Sequence, residues 1–294
     1  MNISLTRILR GLVYRLSRFF PDRIYLKILF RLRTGYSLNL EHPQTFNEKL
    51  QWLKLNDHRP EYQQMVDKVE AKRYVGKIIG EDYIIPTLAV YDSADDIEFD
   101  TLPQQFVLKC THDSGTVFVC KDKDHLDKKV VIKIFRRAIK RKYYPYNREW
   151  PYKHIRPRII AEKYMENPGY KELVDYKIYC FHGKPMYCQV VSDRRTRKSM
   201  DFFDCNWNHQ PFHKSKEYPF ALKKPVRPEN YAQMLELASK LSEGIIFIRV
   251  DFYEISGKVY FGELTFYPAS GMGGFSPMEW DYKFGELIHL PTGI

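Results

Sequence analysis

The stretch from Ile245 to Gly271 reads IIFIRVDFYEISGKVYFGELTFYPASG and decides the fold expected for the C-terminal part of the chain. Two runs rich in Ile, Val, Phe and Tyr flank Ser256-Gly257, a pattern typical of an antiparallel hairpin with a short connection. Strand side chains alternate between the two faces of a sheet, and counting from the turn places Asp251 and Glu263 opposite each other to within one residue. The sequence therefore predicts two carboxylates on one face of this hairpin.

Two interpretations of these carboxylates are open at this point. Burying both as bare charges in otherwise apolar strands is costly, and a bound divalent cation removes that cost. Mg²⁺ prefers oxygen ligands and usually takes one or two protein carboxylates, with phosphates and water completing its shell. The alternative is a half-exposed hairpin whose polar face meets solvent, as in many antiparallel sheets.

Composition limits the class of protein. The 294 residues suffice for one large or two modest domains, and 44% hydrophobic with 15% aromatic residues indicates a well-packed core. Five cysteines without a CxxC pair and without a secretion signal predict a reducing, cytoplasmic compartment and disfavour a zinc site. No uncharged apolar run approaches the roughly 20 residues that a membrane span needs.

The N-terminal segment is basic and amphipathic, within a chain of net charge +11. On a helical wheel, apolar residues such as Leu12 and Leu16 share one face, arginines such as Arg15 lie opposite, and Pro21 ends the helix. One interpretation is contact with an anionic membrane surface or an acidic polymer. The other is a helix packed on the body of the protein with a solvated arginine face.

A second candidate site follows the apolar run 106–110, where Lys109 precedes the loop Thr111-His112-Asp113-Ser114-Gly115. Small residues at a tight strand connection let backbone N–H groups approach phosphate oxygens, and Lys109 supplies a cation. The same loop is also an ordinary hairpin turn.

A strongly basic helix is predicted at about residues 125–142, with Lys and Arg interleaved with apolar side chains. No recognised nucleic-acid motif accompanies it. A solvated face or a patch for an acidic substrate is therefore favoured, and nucleic acid is not an expected partner.

The order of these signals along the chain resembles the ATP-grasp superfamily over roughly residues 62–290. The signals are, in order, Asp67-Lys68, Lys109 with its loop, Glu162 after an apolar run, Asp175-Tyr176-Lys177, Arg249-Val250-Asp251 and Glu263-Leu264-Thr265. The runs GELTFYPASG, DYKIYCFHGKP and TFNEKLQWLKLND are similar to the branch typified by teichuronopeptide biosynthesis proteins, which is found among bacterial capsule and cell-surface polysaccharide functions.

The resemblance implies an α+β, ATP-grasp fold in which two α+β lobes clasp the nucleotide. A basic helical N-terminal segment would occupy residues 1–60 and a pre-grasp segment residues 61–105. The N-lobe would follow over residues 106–170 and the C-lobe over residues 171–294.

The resemblance also implies ATP and Mg²⁺ as cofactors. The implied nucleotide-binding residues are Lys68, Lys109, Thr111, Ser114, Gly115, Glu162, Met165 and Lys177. Among these, the lysines would contact phosphates, the loop would cover them, and the segment from Glu162 to Met165 would line the adenine hinge.

Asp251, Glu263 and Thr265 are the implied magnesium ligands, and Arg249 and Lys177 the implied catalytic residues. Many relatives have Asn where this chain has Thr265, and a hydroxyl can still coordinate the metal or hold a water. Arg249 would face the negative charge that develops during the reaction.

The activity implied is that of an ATP-dependent carboxylate–amine ligase, in which an acyl phosphate is attacked by an amine. An amino acid would be joined to an acidic glycan or lipid-linked saccharide of a bacterial capsule or cell-surface polysaccharide, and the basic charge suits such an acceptor. The N-terminal helix would then contact the inner membrane surface. The alternatives are a glycosyltransferase, which a metal-holding Asp-x-Asp motif in a dinucleotide-type fold would favour, and a glycan kinase, which differs only in its acceptor.

Overall fold

The computed structural model describes residues 9, 11–167, 172–193, 197–214 and 217–291. The strands are β1 (Thr87–Tyr91), β2 (Phe106–Cys110), β3 (Val117–Cys120), β4 (Ile159–Lys163), β5 (Asp175–Phe181), β6 (Lys184–Ser192), β7 (Ser199–Asp204), β8 (Phe247–Ile255) and β9 (Lys258–Thr265). The helices are α1 (Asp22–Thr34), α2 (Phe46–Asn56), α3 (Glu61–Val66), α4 (Lys68–Ile79), α5 (Lys128–Ala138), α6 (Tyr144–Asn147), α7 (Tyr231–Ser242) and α8 (Glu279–Glu286).

The first sheet is antiparallel, with strand order β1-β4-β2-β3. Phe106 and Leu108 point to one face and pack with Val131 and Phe135 of α5 in a single apolar cluster. Alternation along β2 sends Lys109 to the other face, which is therefore free to form one wall of a cleft. The segment 61–105 supplies the edge strand β1, and residues 106–170 supply the other three strands.

The second sheet is also antiparallel, with strand order β7-β6-β5-β8-β9. On one face the buried residues of β5 and β8, such as Ile178 and Val250, belong to the main core together with Met234 and Leu237 of α7. On the other face an aromatic cluster around Phe284 of α8 covers one end of the sheet. The remaining end of that face carries charged residues and forms the second wall of the cleft.

The hairpin of β8 and β9 has the predicted register. Asp251 lies directly opposite Glu263, and the next pair towards the turn is Phe252 with Phe261. Gly262 is therefore an extra residue in β9, a β-bulge, and it accounts for the offset of one residue found by counting from the turn.

The sequence pattern alone predicts one helix over residues 61–79, but the structure has two, so this prediction is wrong at Asp67. The backbone of Asp67 is extended (φ −69°, ψ 122°), and its side chain accepts hydrogen bonds from Val69 N and Glu70 N at 2.9 and 3.0 Å. Asp67 is thus the N-cap of α4, because a capping side chain satisfies free N–H groups of the first turn. The break places Lys68 at the start of α4, facing the loop after β2.

The N-terminal amphipathic helix lies partly outside the described residues, which omit residues 1–8 and 10. Over residues 11–15 the chain is helical. Leu12, Leu16 and Phe19 are 51%, 38% and 66% exposed, although Val13 and Phe20 pack on the body. Among the described residues, no helix combines the length and the apolar character needed to cross a bilayer.

Candidate functional site

Three adjoining cavities lie along the cleft: the first two between the sheets, and the third against the charged face of the second sheet. The first has a volume of about 510 Å³, the second about 280 Å³ and the third about 750 Å³. Lys109, Glu162 and Asp175 line both the first and the second cavity, whereas Lys177 and Glu263 line both the second and the third. The cavities therefore form one continuous cleft, and charged residues lie at both junctions.

The first cavity has apolar walls from both lobes of the cleft. Val107 and Val119 line it from the first sheet, and Tyr253 lines it from the second. The predicted hinge residues Glu162 and Met165 also line this cavity. Charged residues such as Lys121 and Glu166 share the lining with the apolar side chains, so the cavity has both apolar and polar walls.

Glu162 is buried, and its carboxylate accepts hydrogen bonds from Lys72 and Lys109, the latter at 2.6 Å. Desolvation raises the pKa of Glu162, but the charges of Lys109 and Lys72 outweigh it and hold that pKa below its ordinary value. The side chain of Glu162 thus fixes two lysines at the junction of the first and second cavities.

The second cavity is lined by cations and by the loop after β2. The Nζ of Lys68 donates to the carbonyl of Asp113 at 2.5 Å, which ties α4 to this loop. Ser114 and Gly115 line the cavity, and Gly115 has φ +105°, a conformation that glycine adopts readily. Thr111 is placed differently: it is fully buried, and its hydroxyl accepts from Arg158 N at 3.2 Å behind the cleft wall.

Lys177, Asp251 and Glu263 form a row across three neighbouring strands. Lys177 donates to Asp251, while Arg249 donates to both oxygens of Asp251 at 2.6 and 2.7 Å and to Glu263 at 2.8 Å. Thr265 accepts from Arg249 at 3.0 Å and donates to Glu263 at 3.2 Å. The structure therefore brings the predicted metal ligands and both predicted catalytic residues together.

The charges in this row are strongly coupled. Desolvation raises the pKa of Glu263, but the charges of Lys177, Arg249 and Lys68 outweigh it and lower that pKa to about 2. For Asp251, desolvation is larger than the opposing effect of Arg249 and Lys177, so its pKa is raised. Arg249 stays protonated, since the carboxylates outweigh desolvation and raise its pKa.

The oxygen-bearing side chains of this site fit a magnesium ion that phosphates help to bind. Two carboxylates and a hydroxyl, from Asp251, Glu263 and Thr265, are oxygen donors of the type that Mg²⁺ takes. Within the described residues no group of three or more His, Cys, Asp or Glu side chains is placed to hold a metal by itself. A metal here would thus depend on ligand oxygens from a bound phosphate.

The third cavity is wide and carries several cations. Those that line it are Arg33, Lys177, Lys198, Lys214 and Arg249. Glu149 and Glu217 also line it, and Glu149 is buried, with a pKa raised by desolvation. One side is formed by the segment after β9, in which Ala269 and Ser270 both have positive φ. This cavity has room for a molecule larger than an amino acid.

Several charged residues of the cleft received no role from the sequence, among them Lys72, Asp175 and Lys214. Lys72 lies one helical turn after Lys68 on α4, and Asp175 shares a strand face with Lys177, so periodicity offered a signal for both. Lys214 lies in an irregular region between β7 and α7, where no periodic pattern indicates which way a side chain points.

Comparison with solved structures found proteins that are similar to this chain over part of their length. D-alanine–D-alanine ligase from Bacillus anthracis complexed with ATP is 18% identical over 69% of this chain and 54% of its own, with TM-score 0.40. The ATP-grasp ligase PsnB complexed with minimal precursor, Mg and ADP is 10% identical over 74% and 57%, with TM-score 0.40. D-alanyl-alanine synthetase A from Vibrio cholerae O1 biovar eltor strain N16961 is 10% identical over 77% and 64%, with TM-score 0.44.

The chain thus spans between about half and two thirds of the length of these proteins. No curated protein matches the chain.

A family model described as TupA-like ATPgrasp matches residues 48–289. The matched range contains both sheets, the cleft between them and every predicted site residue from Lys68 to Thr265. The predicted α+β architecture and the resemblance to ATP-grasp proteins are therefore confirmed. The chain belongs to the TupA-like ATP-grasp family.

Proposed function

We propose that the chain is an ATP-dependent carboxylate–amine ligase that forms an amide through an acyl phosphate. The observation that carries the proposal is the row of Lys177, Asp251 and Glu263, with Arg249 beside it, at the junction of the second and third cavities. A triphosphate in the second cavity would end where the third cavity begins. Its terminal phosphate would face a carboxylate held in the third cavity.

The first and second cavities would hold ATP. The apolar side chains of the first cavity suit adenine, and backbone groups between Glu162 and Met165 would read the base edge. Lys68, Lys109 and Lys177 would neutralise the phosphates. Ser114 and Gly115 support the phosphate-loop role through their position on the cavity wall. Thr111 would act from behind that wall, by holding the loop to the segment at residue 158.

Asp251, Glu263 and Thr265 would hold Mg²⁺, which offsets the charge of the β- and γ-phosphates when it is bound. The oxygens of Asp251 already accept from Arg249 and Lys177. At least one of these contacts must therefore lengthen to let a metal approach. Lys177 is suited to this exchange, because a lysine released from Asp251 still faces the phosphates.

Arg249 would stabilise the negative charge of the reaction. Its guanidinium is fixed by two carboxylates and by Thr265, so little reorganisation is needed when charge develops nearby. Transfer of the terminal phosphate to the substrate carboxylate releases ADP. The amine then forms the new C–N bond as the C–O bond to phosphate breaks; phosphate leaves, and the nitrogen loses a proton to solvent.

The acceptor would be an acidic sugar of a bacterial capsule or cell-surface polysaccharide, and the amine an amino acid. The cations of the third cavity support an anionic acceptor. A glycan kinase would use the same cleft and differ only in the acceptor, whereas the family assignment disfavours a glycosyltransferase.

The test is an ADP-release screen in which amino acids are combined with uronic-acid glycans in the presence of Mg²⁺ and ATP. A ligase releases ADP and phosphate only when both substrates are present, and a new amide appears by mass spectrometry. A phosphorylated glycan formed without the amine would establish the kinase instead. No ADP release above that of the Asp251→Asn variant with any pair would contradict both activities.

We infer in addition that the exposed N-terminal residues contact the inner surface of an anionic membrane from the cytoplasmic side. Leu12, Leu16, Phe19 and Ile24 form what we call the N-terminal apolar face, and Ile24 is 50% exposed. The exposed basic residues around this face are Arg15, Arg18, Arg23 and Lys27. Apolar side chains surrounded by cations suit an interface of acyl chains and anionic headgroups.

Vesicle co-sedimentation with and without anionic lipid tests this inference. Leu16→Ser with Phe19→Ser should reduce binding to anionic vesicles by about tenfold. Leu222→Ser is the matched control, because Leu222 is 86% exposed and lies far along the chain in a different loop. If all variants sediment equally with anionic vesicles, or if the wild type does not sediment with them, the N-terminal apolar face does not bind the membrane.

A further inference from the structure

Lys214 is a buried lysine at the wall of the third cavity. Only 6% of its surface is exposed, and its Nζ has no hydrogen-bond partner among the described residues. The Nζ lies 3.9 Å from the ring centroid of Phe275 and 4.8 Å from that of Phe46. Aromatic faces attract a cation but accept no conventional hydrogen bond from each N–H, so the ammonium group remains unsatisfied.

Lys54 shows what a structural buried lysine looks like in the same protein. It is 2% exposed, and its Nζ donates to Asn147 O at 2.9 Å, to Ser270 O at 2.8 Å and to Ser270 Oγ at 2.9 Å. Three acceptors satisfy the three N–H donors of an ammonium group. Lys214 has comparable burial without these acceptors, and it differs by lining an open cavity.

Asp281 is the acidic group that acts on Lys214, and its oxygens already have partners. Asp281 accepts from Asn47 N at 3.0 Å, from Asn47 Nδ2 at 2.7 Å and from Tyr36 Oη at 3.0 Å. Desolvation lowers the pKa of Lys214, and the charge of Arg249 lowers it further. Asp281 raises this pKa, but by less, so the net result is a pKa of about 7. The fold therefore keeps a buried amine beside the cavity at a cost that Asp281 and the aromatic rings offset only in part.

Space for a ligand lies next to this amine. A Cβ at Gly273 would lie 3.9 Å from Lys214 Nζ, and both Gly273 and Gly274 line the third cavity. The backbone around Lys214 is held by paired hydrogen bonds between His213 and Ser276, at 2.9 and 2.8 Å. The amine is thus fixed in position, with small residues leaving the approach to it open.

We propose that Lys214 is a specificity-determining residue that binds a carboxylate of the acceptor other than the one activated by ATP. The proposal rests on the proposed function, because it takes the third cavity as the acceptor site. Lys214 lines the third cavity and is not among the residues that line the second. Its ligand therefore belongs to the acceptor and not to the triphosphate. The acceptor carries at least two carboxylates, as a chain of uronic acids does.

The test measures binding without turnover, using trigalacturonate and its methyl ester as probes with the protein saturated with MgADP. Isothermal titration should show binding of the acid and not of the ester. Lys214→Met should weaken binding of the acid by about tenfold or more, because it removes one partner of a buried charge pair. Lys214→Arg should retain most of the affinity, and affinity for MgADP should not change in either variant.

Lys224→Met is the matched control. Lys224 also lies over an aromatic ring, 5.8 Å from the centroid of Phe203, but it is exposed and does not line the third cavity. This variant should bind trigalacturonate as the wild type does.

Proton uptake gives a second readout that needs no variant. A carboxylate beside Lys214 favours the charged amine, whose pKa in the free protein is about 7. The protein should therefore take up about one proton when the acid binds at pH 8, and almost none at pH 6. Titrations in buffers of different ionisation enthalpy measure this number.

Three results would overturn the proposal: equal binding of the acid by wild type and Lys214→Met, equal binding of acid and ester, or no binding of either probe. Absence of proton uptake at pH 8 would overturn it as well. Failure of the ligase activity, in contrast, would appear in the ADP-release screen and leave these binding results unchanged.

Discussion

Asp251 and Glu263 are directly opposed residues of β8 and β9, and Arg249 donates hydrogen bonds to both carboxylates. The two acids approach each other because the sheet register fixes their backbones, and the guanidinium offsets their mutual repulsion. In the proposed function Lys177 would give up its contact with Asp251 to a metal ion, while Arg249 would keep both acids in place.

Asp251→Asn and Glu263→Gln should each lower ATP-dependent turnover on the order of 100-fold or more, since each removes a charge that would hold the metal at the phosphates. ADP release at saturating ATP and Mg²⁺ measures the loss. Glu229→Gln is the control, because Glu229 is exposed and lies outside the cleft. Wild-type turnover in either cleft variant would remove the metal assignment.

Glu162→Gln should destabilise the protein by about 3 kcal/mol at pH 7, because it leaves Lys72 and Lys109 without their shared buried carboxylate. The folded-state pKa of Glu162 is lowered from 4.5 by these lysines, against desolvation. Its contribution is therefore present above pH 4.5 and is lost as the pH falls through the folded-state value.

Thermal unfolding between pH 3 and pH 7 checks this, with the difference between wild type and variant shrinking towards the acid end. A difference that stays constant across this range would show that the charge of Glu162 is not its source.

Gly262→Ala should disturb the alignment of the two carboxylates. A Cβ at Gly262 would lie 3.0 Å from the carbonyl oxygen of Asp251 and 3.2 Å from the ring of Tyr253, so β9 must move away from β8. We expect a loss of about 1–3 kcal/mol in the free energy of unfolding and a fall in turnover, both measured against wild type.

Gly11→Ala is the control for that variant, because a Cβ at Gly11 meets nothing within 4 Å. If Gly262→Ala retains wild-type turnover, the bulge is not required for positioning Glu263.

Lys214→Met should stabilise the protein by about 1 kcal/mol or more at pH 6, because it removes a buried charge that Asp281 only partly offsets. Desolvation lowers the folded-state pKa of Lys214 from 10.5 to about 7. Between these values the unfolded chain binds more protons, so this group makes wild-type stability rise with pH. Chemical denaturation at pH 6 and pH 9 should show the advantage of Lys214→Met shrinking as the pH rises; an advantage that grows would contradict the assignment.

The parts of this fold that follow from local patterns could be predicted. The alternating strand pattern and the turn at Ser256-Gly257 predict the hairpin of β8 and β9. The observed register confirms that Asp251 faces Glu263. The capping box at Thr45 is present, since its hydroxyl accepts from Glu48 N and Glu48 accepts from Thr45 N. These features depend on neighbouring residues and short loops, which sequence periodicity reports directly.

Features that arise from distant contacts were not predicted. The pairing of Glu162 with Lys72 depends on how α4 meets the first sheet, and the orientation of Lys214 depends on an isolated bridge between His213 and Ser276. The break at Asp67 was missed because its flanking residues continue a helical pattern. In each case the deciding contact lies outside the window that a periodicity argument considers.

The arrangement of Glu162 has a mechanical consequence for the cleft. Its carboxylate pairs with Lys109 of β2 and with Lys72 of α4, and Val75 of α4 packs in the main core beside the second sheet. The charge of Lys68, also on α4, helps to lower the pKa of Glu263 on the second sheet. The charges of α4 therefore link the two walls of the cleft, and wide opening would separate Lys72 from Glu162. An incoming polyanion would give these lysines new partners, so its binding would offset part of the cost of opening.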